Sequence, residues 1–286
     1  MAVKILTDST SYIPKDIEKD LHISIVSLKV NFNQDSFNEL DINNQDFYKK
    51  MEDYGIPKSS QPSLDQLYLS MESIVKAGDE LLCIFLSSKM SGTYSSAHLV
   101  RDMILEKYKE ARIEILDSKS NSMELGFAAI VAAREAKKGE GLSRVKEVAE
   151  SIISRSRFLF IPDNLEYLKK GGRIGSASAL VGGLLKIIPI LTVEDGVTTV
   201  LTKIRTKKKA IEEMIKKALK DEEDFGMGEI VVHHINALDE AKELAFKLKE
   251  VFNIEARICD IGPVIGLHVG PGAIGIVYYT KEDMRA

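Results

Sequence analysis

The stretch that decides the fold is LLCIFLSSKMSGTYSSA, residues 81–97. Six consecutive apolar residues without polar alternation describe a strand buried on both faces, as the strands of parallel sheets are. The run stops in a loop, where seven of the eleven residues 87–97 carry hydroxyls, and helical spacing continues over 91–108. The same strand–loop–helix order recurs on either side. VKIL (3–6) breaks into TDSTS, with Pro14 suited to the first turn of a helix. ARIEILDS (111–118) leads into SMELGFAAIVAAREAKK (122–138). ISIVSLKVNF (23–32) reads as a further strand, and 43–55, 63–78 and 141–156 read as helices, with the Pro/Ser loop PKSSQPS at 57–63. Together these predict an N-terminal α/β domain over 1–157, with three layers around a parallel sheet. Ligands of such sheets gather at the carboxyl ends of the strands, so TDSTS, SSKMSGTYSS and DSKSNS are expected along one edge.

Beyond residue 158 the pattern changes. ILTVEDGVTTVLTKI (190–204) reads as a hairpin, because Asp195-Gly196 supplies the turn between β-branched runs. Helices are predicted over 206–222 and 237–252, interleaved with the strands RFLFIPD, EIVVHHI, EARICDIG and AIGIVYYT. Hairpin plus interleaved helices imply a C-terminal α/β domain with a mixed sheet, residues 158–286.

The chain of 286 residues is 44% hydrophobic and 29% charged, a globular composition long enough for two domains. Its net charge of −4 argues against a nucleic-acid partner, which rewards a clustered basic surface. Lys203, Arg205, Lys207, Lys208 and Lys209 do cluster, but acidic residues come soon after at 212–213 and 221–224, as on a solvated helix. Cys83 and Cys259 lie in apolar strand-like runs and read as buried reduced thiols. No apolar run approaches the ~20 residues of a membrane span, and the first residues turn acidic too early for a signal peptide. A cytoplasmic location without membrane insertion is expected.

The chemistry-bearing candidates are few. Ser91 or Thr93 can cap the adjoining helix, and Gly92 lets backbone approach a ligand. Free N–H groups at a helix start with hydroxyls around them also suit a carboxylate or phosphate. Capping alone and capping with anion binding both fit the spacing. Asp8, behind a strand, could accept a phosphoryl group or hold a metal in a hydrolase or phosphotransferase; an Asx or N-cap role is the competing reading. His233 and His234 are neighbours in a strand and point to opposite faces, so they cannot share a metal. No metal site, catalytic residue or cofactor is expected. In LKKGGRIG (168–175) the glycine pair stops a helix, which leaves Lys169, Lys170 and Arg173 at an exposed break.

TDSTS (7–11), SSQPS (59–63), SSKMSGTY (87–94), DSKSNSMELG (117–126), LEYLKKGGRIGSASALVGGLLKIIPIL (165–191), KIRTKKKA (203–210) and IGPVIGLHVGPGAIGI (261–276) together resemble the DegV family of fatty-acid-binding proteins, which includes the binding subunits of bacterial fatty acid kinases. The resemblance implies two α/β domains with one acyl chain buried between them. It implies no catalysis by this chain, only presentation of a long-chain fatty acid to a fatty acid kinase that makes acyl phosphate. Carried over residue by residue, the carboxylate site falls on Ser59, where the family usually has Thr, on Ser91, and on His268. Arg205, Ser60 and Thr93 are its further candidates. The same resemblance makes Lys169, Lys170 and Arg173 the kinase-docking segment. The apolar stretches ALVGGLLKIIPIL and SMELGFAAIVAA are the candidate walls of an acyl tunnel.

Overall fold

The computed structural model describes residues 1–33, 35–181 and 187–284. In chain order the elements up to residue 154 are β1 (Val3–Asp8), α1 (Lys15–Leu21), β2 (Ser24–Val26), β3 (Lys29–Phe32), β4 (Asp35–Asn38), α2 (Asn44–Tyr54), β5 (Lys58–Ser60), α3 (Leu64–Lys76), β6 (Glu80–Phe85), α4 (Thr93–Lys107), β7 (Ile113–Asp117), α5 (Ser122–Lys137) and α6 (Leu142–Ser154). The remainder are β8 (Ser156–Ile161), α7 (Glu166–Lys170), β9 (Ile188–Glu194), β10 (Val197–Ile204), α8 (Lys207–Phe225), β11 (Met227–His234), α9 (Leu238–Phe252), β12 (Arg257–Asp260), α10 (Pro263–Val269) and β13 (Ile274–Thr280).

The chain forms two compact units, Met1–Asp41 with Ser59–Ile153, and Ile42–Lys58 with Ser154–Ala286. The segment 42–58 lies in the second unit, which no single cut near residue 157 accommodates. Its reason is local: Asn44 Nδ2 donates to the Ile261 carbonyl at 3.0 Å, and Phe47, Tyr48 and Met51 of α2 are buried.

The first unit is the predicted parallel α/β layer. Its sheet runs β2-β1-β6-β7, all parallel. One face buries Leu6, Cys83 and Phe85 against Leu67 and Met71 of α3 and Ala97, Val100 and Ile104 of α4. On β1, α5 packs with α1, and its first three turns are almost wholly buried, from Ser122 to Ala133. The sequence 23–32 is not one strand. Ser27 breaks it, its hydroxyl donating to the Leu28 carbonyl at 2.9 Å, and the Leu28 N–H donates to Ser9 Oγ at 3.0 Å. Past this break, β3 joins a separate three-stranded sheet, β4-β3-β5. Pro14 stands one residue ahead of the predicted position, as the N-cap of α1.

The second unit is a six-stranded mixed sheet, β10-β9-β8-β13-β11-β12, in which only β11 and β12 are parallel. The β9–β10 turn places Asp195 (φ 47°) and Gly196 (φ 82°) in the left-handed region, as an Asp-Gly hairpin turn requires. Helices α8 and α9 cover one face of the sheet through Met214, Ala218, Leu244 and Leu248. Inside it, Asp221 accepts from Arg157 Nε at 2.7 Å, Lys217 Nζ at 2.6 Å and the Tyr278 hydroxyl at 2.7 Å, and these donors hold its pKa below the ordinary range although burial opposes them. Cys83 and Cys259 are buried reduced thiols. Among the described residues, no helix is long and apolar enough to cross a membrane.

Candidate functional site

The carboxyl ends of β1, β6 and β7 are neighbours, and the loops that leave them are stitched together. Asp8 Oδ2 accepts the Leu86 N–H at 2.8 Å, while Oδ1 accepts the Thr10 N–H at 3.0 Å and the Thr10 hydroxyl at 2.5 Å. The Ser88 hydroxyl donates to Asp117 at 2.5 Å, and the Ser87 N–H donates to the Ser120 carbonyl at 2.7 Å. Ser9 and Tyr12 both donate to Glu39, and Ser120 donates to Glu124. The Ser88, Ser9 and Tyr12 hydroxyls therefore hold one segment to another, while Thr10, Ser91, Thr93, Ser118 and Ser120 bond within their own loops. Asp8 is fully buried, and burial pushes its carboxyl up to about 6 against the pull of its three hydrogen bonds. A carboxylate so enclosed, with both oxygens engaged, is not presented to a substrate, and its role is the Asx turn.

Next to this edge lies the start of α4. The N-cap is Gly92, not Ser91 or Thr93. Ser91 Oγ instead accepts the Thr93 N–H at 3.4 Å and lies 3.0 Å from the Thr93 hydroxyl, which is itself fully buried. Thr93 thus orients Ser91 from beneath. A side chain at Gly92 would overlap Gln61 Oε1, and Gln61 Nε2 donates to Ser96 Oγ at 2.7 Å. Gln61 is the wedge that brings the Ser59–Ser60 strand to the start of α4. Ser59 is half-buried there, while the exposed Ser60 accepts from Asn31 Nδ2 at 3.1 Å. The helix start adds its partial positive charge and free N–H groups. The segment after Ser59 and Ser60 thus reaches the start of α4 through Gln61.

In the second unit, α7 ends at Gly171, and α10, a short helix that no periodicity predicts, packs on it. α10 carries His268. The ring is held well below its ordinary pKa, at about 4, first by burial and then by the nearby Arg173 guanidinium. It is neutral at pH 7. Arg173 folds back, its guanidinium donating to the Gly171 carbonyl at 2.7 Å. Lys169, Lys170 and Arg173 are exposed at this helix end, with Lys170 only 3.8 Å from Glu166. An open groove of about 790 Å³ runs beside the two lysines, walled by Pro162, Leu165, Val181, Ile187 and Ile188 and by the polar Asp163, Asn164 and Glu166. Arg205 stands exposed between β10 and α8, ahead of the Thr206 N-cap. His233 is buried, its Nδ1–H donates to the Cys259 carbonyl at 3.3 Å, and burial holds its pKa down at about 3, so the ring is neutral; His234 lies 3.5 Å from Asp260. A second, smaller cavity of about 20 Å³ lies among Phe158, Phe160, Ile265 and Val269, with space for little more than one water. Of the two apolar stretches proposed as tunnel walls, SMELGFAAIVAA is core of the first unit, and residues 182–186 of the other lie outside the described residues. Among the described residues, no group of three or more His, Cys, Asp or Glu side chains could hold a metal.

A parallel-sheet unit with polar loops at one edge, in one chain with a mixed-sheet unit, defines a class of two-unit α/β proteins. The family model described as "Uncharacterised protein, DegV family" matches residues 2–281, and the chain belongs to that family. It is 65% identical over 285 residues to a DegV domain-containing protein of Clostridium acetobutylicum, covering 100% of both chains. Among solved structures it is similar to DegV of Bacillus subtilis, described as a fatty acid binding protein (33% identity, TM-score 0.87, 98% of this chain and 100% of that one). It is also similar to a stearic-acid-binding protein of Eubacterium ventriosum (25% identity, TM-score 0.89, 98% of each chain).

Proposed function

We propose that this protein is a non-enzymatic carrier that binds one long-chain fatty acid. The observation that carries this reading is the convergence of the Ser59 and Ser91 loops at the start of α4, joined by Gln61. Neutral hydroxyls and a helix start hold a carboxylate without the desolvation cost of a buried cation. His268 and Arg205 of the second unit are proposed as further groups that recognise the head group, and Ser60 and Thr93 as its supports. Burying a ~16-carbon tail at about 0.8 kcal/mol per methylene contributes roughly 11 kcal/mol gross before ordering costs, so the tail supplies affinity and the hydroxyls fix orientation. The likeness to fatty-acid-binding DegV structures supports the ligand class.

The carrier presents the carboxylate to a separate kinase that forms acyl phosphate for phospholipid synthesis, and Lys169, Lys170 and Arg173 dock that kinase. Native mass spectrometry of gently purified protein is expected to reveal one bound acyl chain. A chain-free protein that neither binds added stearate nor melts higher with it overturns the reading. Arg173→Ala is expected to keep lipid binding and lose acyl phosphate formation with the kinase.

A further inference from the structure

We propose that Gly171 is a positioning residue for His268, and that through their contact the imidazole and the basic segment Lys169–Arg173 shift together. Gly171 has φ −76° and ψ −8°, an ordinary right-handed helical conformation open to any L-residue. Nothing in the backbone calls for glycine. The reason is space. A Cβ at this position would overlap His268 Nδ1, lie 3.0 Å from Cε1 and press on the Tyr167 carbonyl at 3.2 Å. The imidazole therefore rests on the bare backbone that ends α7.

The neighbouring contact repeats this arrangement with the partners exchanged. Gly270, just past α10, meets the ring of Tyr167 on α7, and a Cβ there would lie 2.7 Å from two of the ring carbons. Two glycine–ring contacts, one from each helix, lock α7 to α10. Gly171 is also the hinge of the basic segment: its N–H donates to the Tyr167 carbonyl at 2.8 Å, its carbonyl accepts from the Arg173 guanidinium at 2.7 Å, and the Arg173 N–H donates to the Leu168 carbonyl at 3.0 Å. A displacement of His268 is thus transmitted to Gly171 and from there to Arg173. With the reading of His268 as a head-group residue, on which this part rests, an occupied site alters the exposed segment that a partner would meet.

The test compares the wild type with Gly171→Ala, His268→Ala and the double variant. Without ligand, Gly171→Ala is expected to melt below the wild type, and the double variant to melt no lower than His268→Ala, because the added methyl then has room. By NMR, the His268 ring, near 4 in the wild type, is expected to titrate higher in Gly171→Ala as the imidazole leaves its seat. Stearate affinity is expected to fall about tenfold in Gly171→Ala, with no further loss in the double variant over His268→Ala. Stearate is also expected to move the amide signals of Lys169–Arg173 in the wild type and not in His268→Ala. If Gly171→Ala fails to fold, rescue by His268→Ala in the same chain supports the contact, and failure of the double variant overturns it. Wild-type melting together with an unchanged titration in Gly171→Ala also overturns it. If wild-type protein binds no stearate, the lipid reading and the coupling fall, while melting and titration still decide the role of Gly171.

Discussion

At the strand ends of the first unit, polar side chains satisfy one another: Asp8 accepts from Leu86 and Thr10, Ser88 donates to Asp117, and Ser91 rests on Thr93. Where α7 meets α10 in the second unit, two rings lie against two glycines and order comes from the absence of side chains. The first region is fixed by directional bonds, the second by volume. Damage to the first should therefore come from removing atoms, and damage to the second from adding them.

Asp8→Ala is the strongest test of the bonded edge. It strands the buried Leu86 and Thr10 N–H groups, and a loss of about 3 kcal/mol is expected in urea denaturation. Stability without that loss would show the stitching to be dispensable.

The two regions should also answer pH with opposite signs. Asp8 titrates near 6 in the folded chain against 3.8 ordinarily, so the fold binds its proton first and this group's contribution declines as pH rises from about 4 to 6. His268 titrates near 4 against 6.5, so its contribution is complete above pH 6.5 and is lost as pH falls toward 4. Melting curves of the wild type against Asp8→Asn and against His268→Gln are expected to diverge in those two directions.

A smaller effect is expected for Gly270→Ala, about 2 kcal/mol, because φ is +87° there and the Tyr167 ring fills the space. Ser91→Ala should leave the melting temperature almost unchanged and weaken stearate binding about fivefold, the worth of one neutral hydrogen bond near 1 kcal/mol. Ser60→Ala, at an exposed pair with Asn31, is expected to change stability by less than about 0.5 kcal/mol.

Much of the bonded edge was legible in the sequence, because its signals are local. LLCIFL before SSKMSGTY marks a strand end whatever surrounds it, and the hairpin at Asp195-Gly196 needs only two residues. The capping of α4 was legible only in part: Ser91 serves the helix start, but Gly92 holds the N-cap itself. The volume-fixed region was almost illegible. α10 has seven residues, all buried except His268, so it shows no amphipathic period; Pro263 behind Gly262 was its one start signal. The placement of 42–58 in the second unit depends on contacts with residues beyond 260 that no local pattern announces. The break at Ser27 was missed because β-branched and apolar residues continue on both sides of it.

The seat of His268 on Gly171 also bears on how such sequences can diverge. Alanine at position 171 suits the backbone, so selection against it acts while a ring occupies the space above. Position 268 is then free to change first, with position 171 changing after it. Homologues that keep the histidine should keep the glycine, and those that have replaced the histidine with a small residue should tolerate alanine at its partner position.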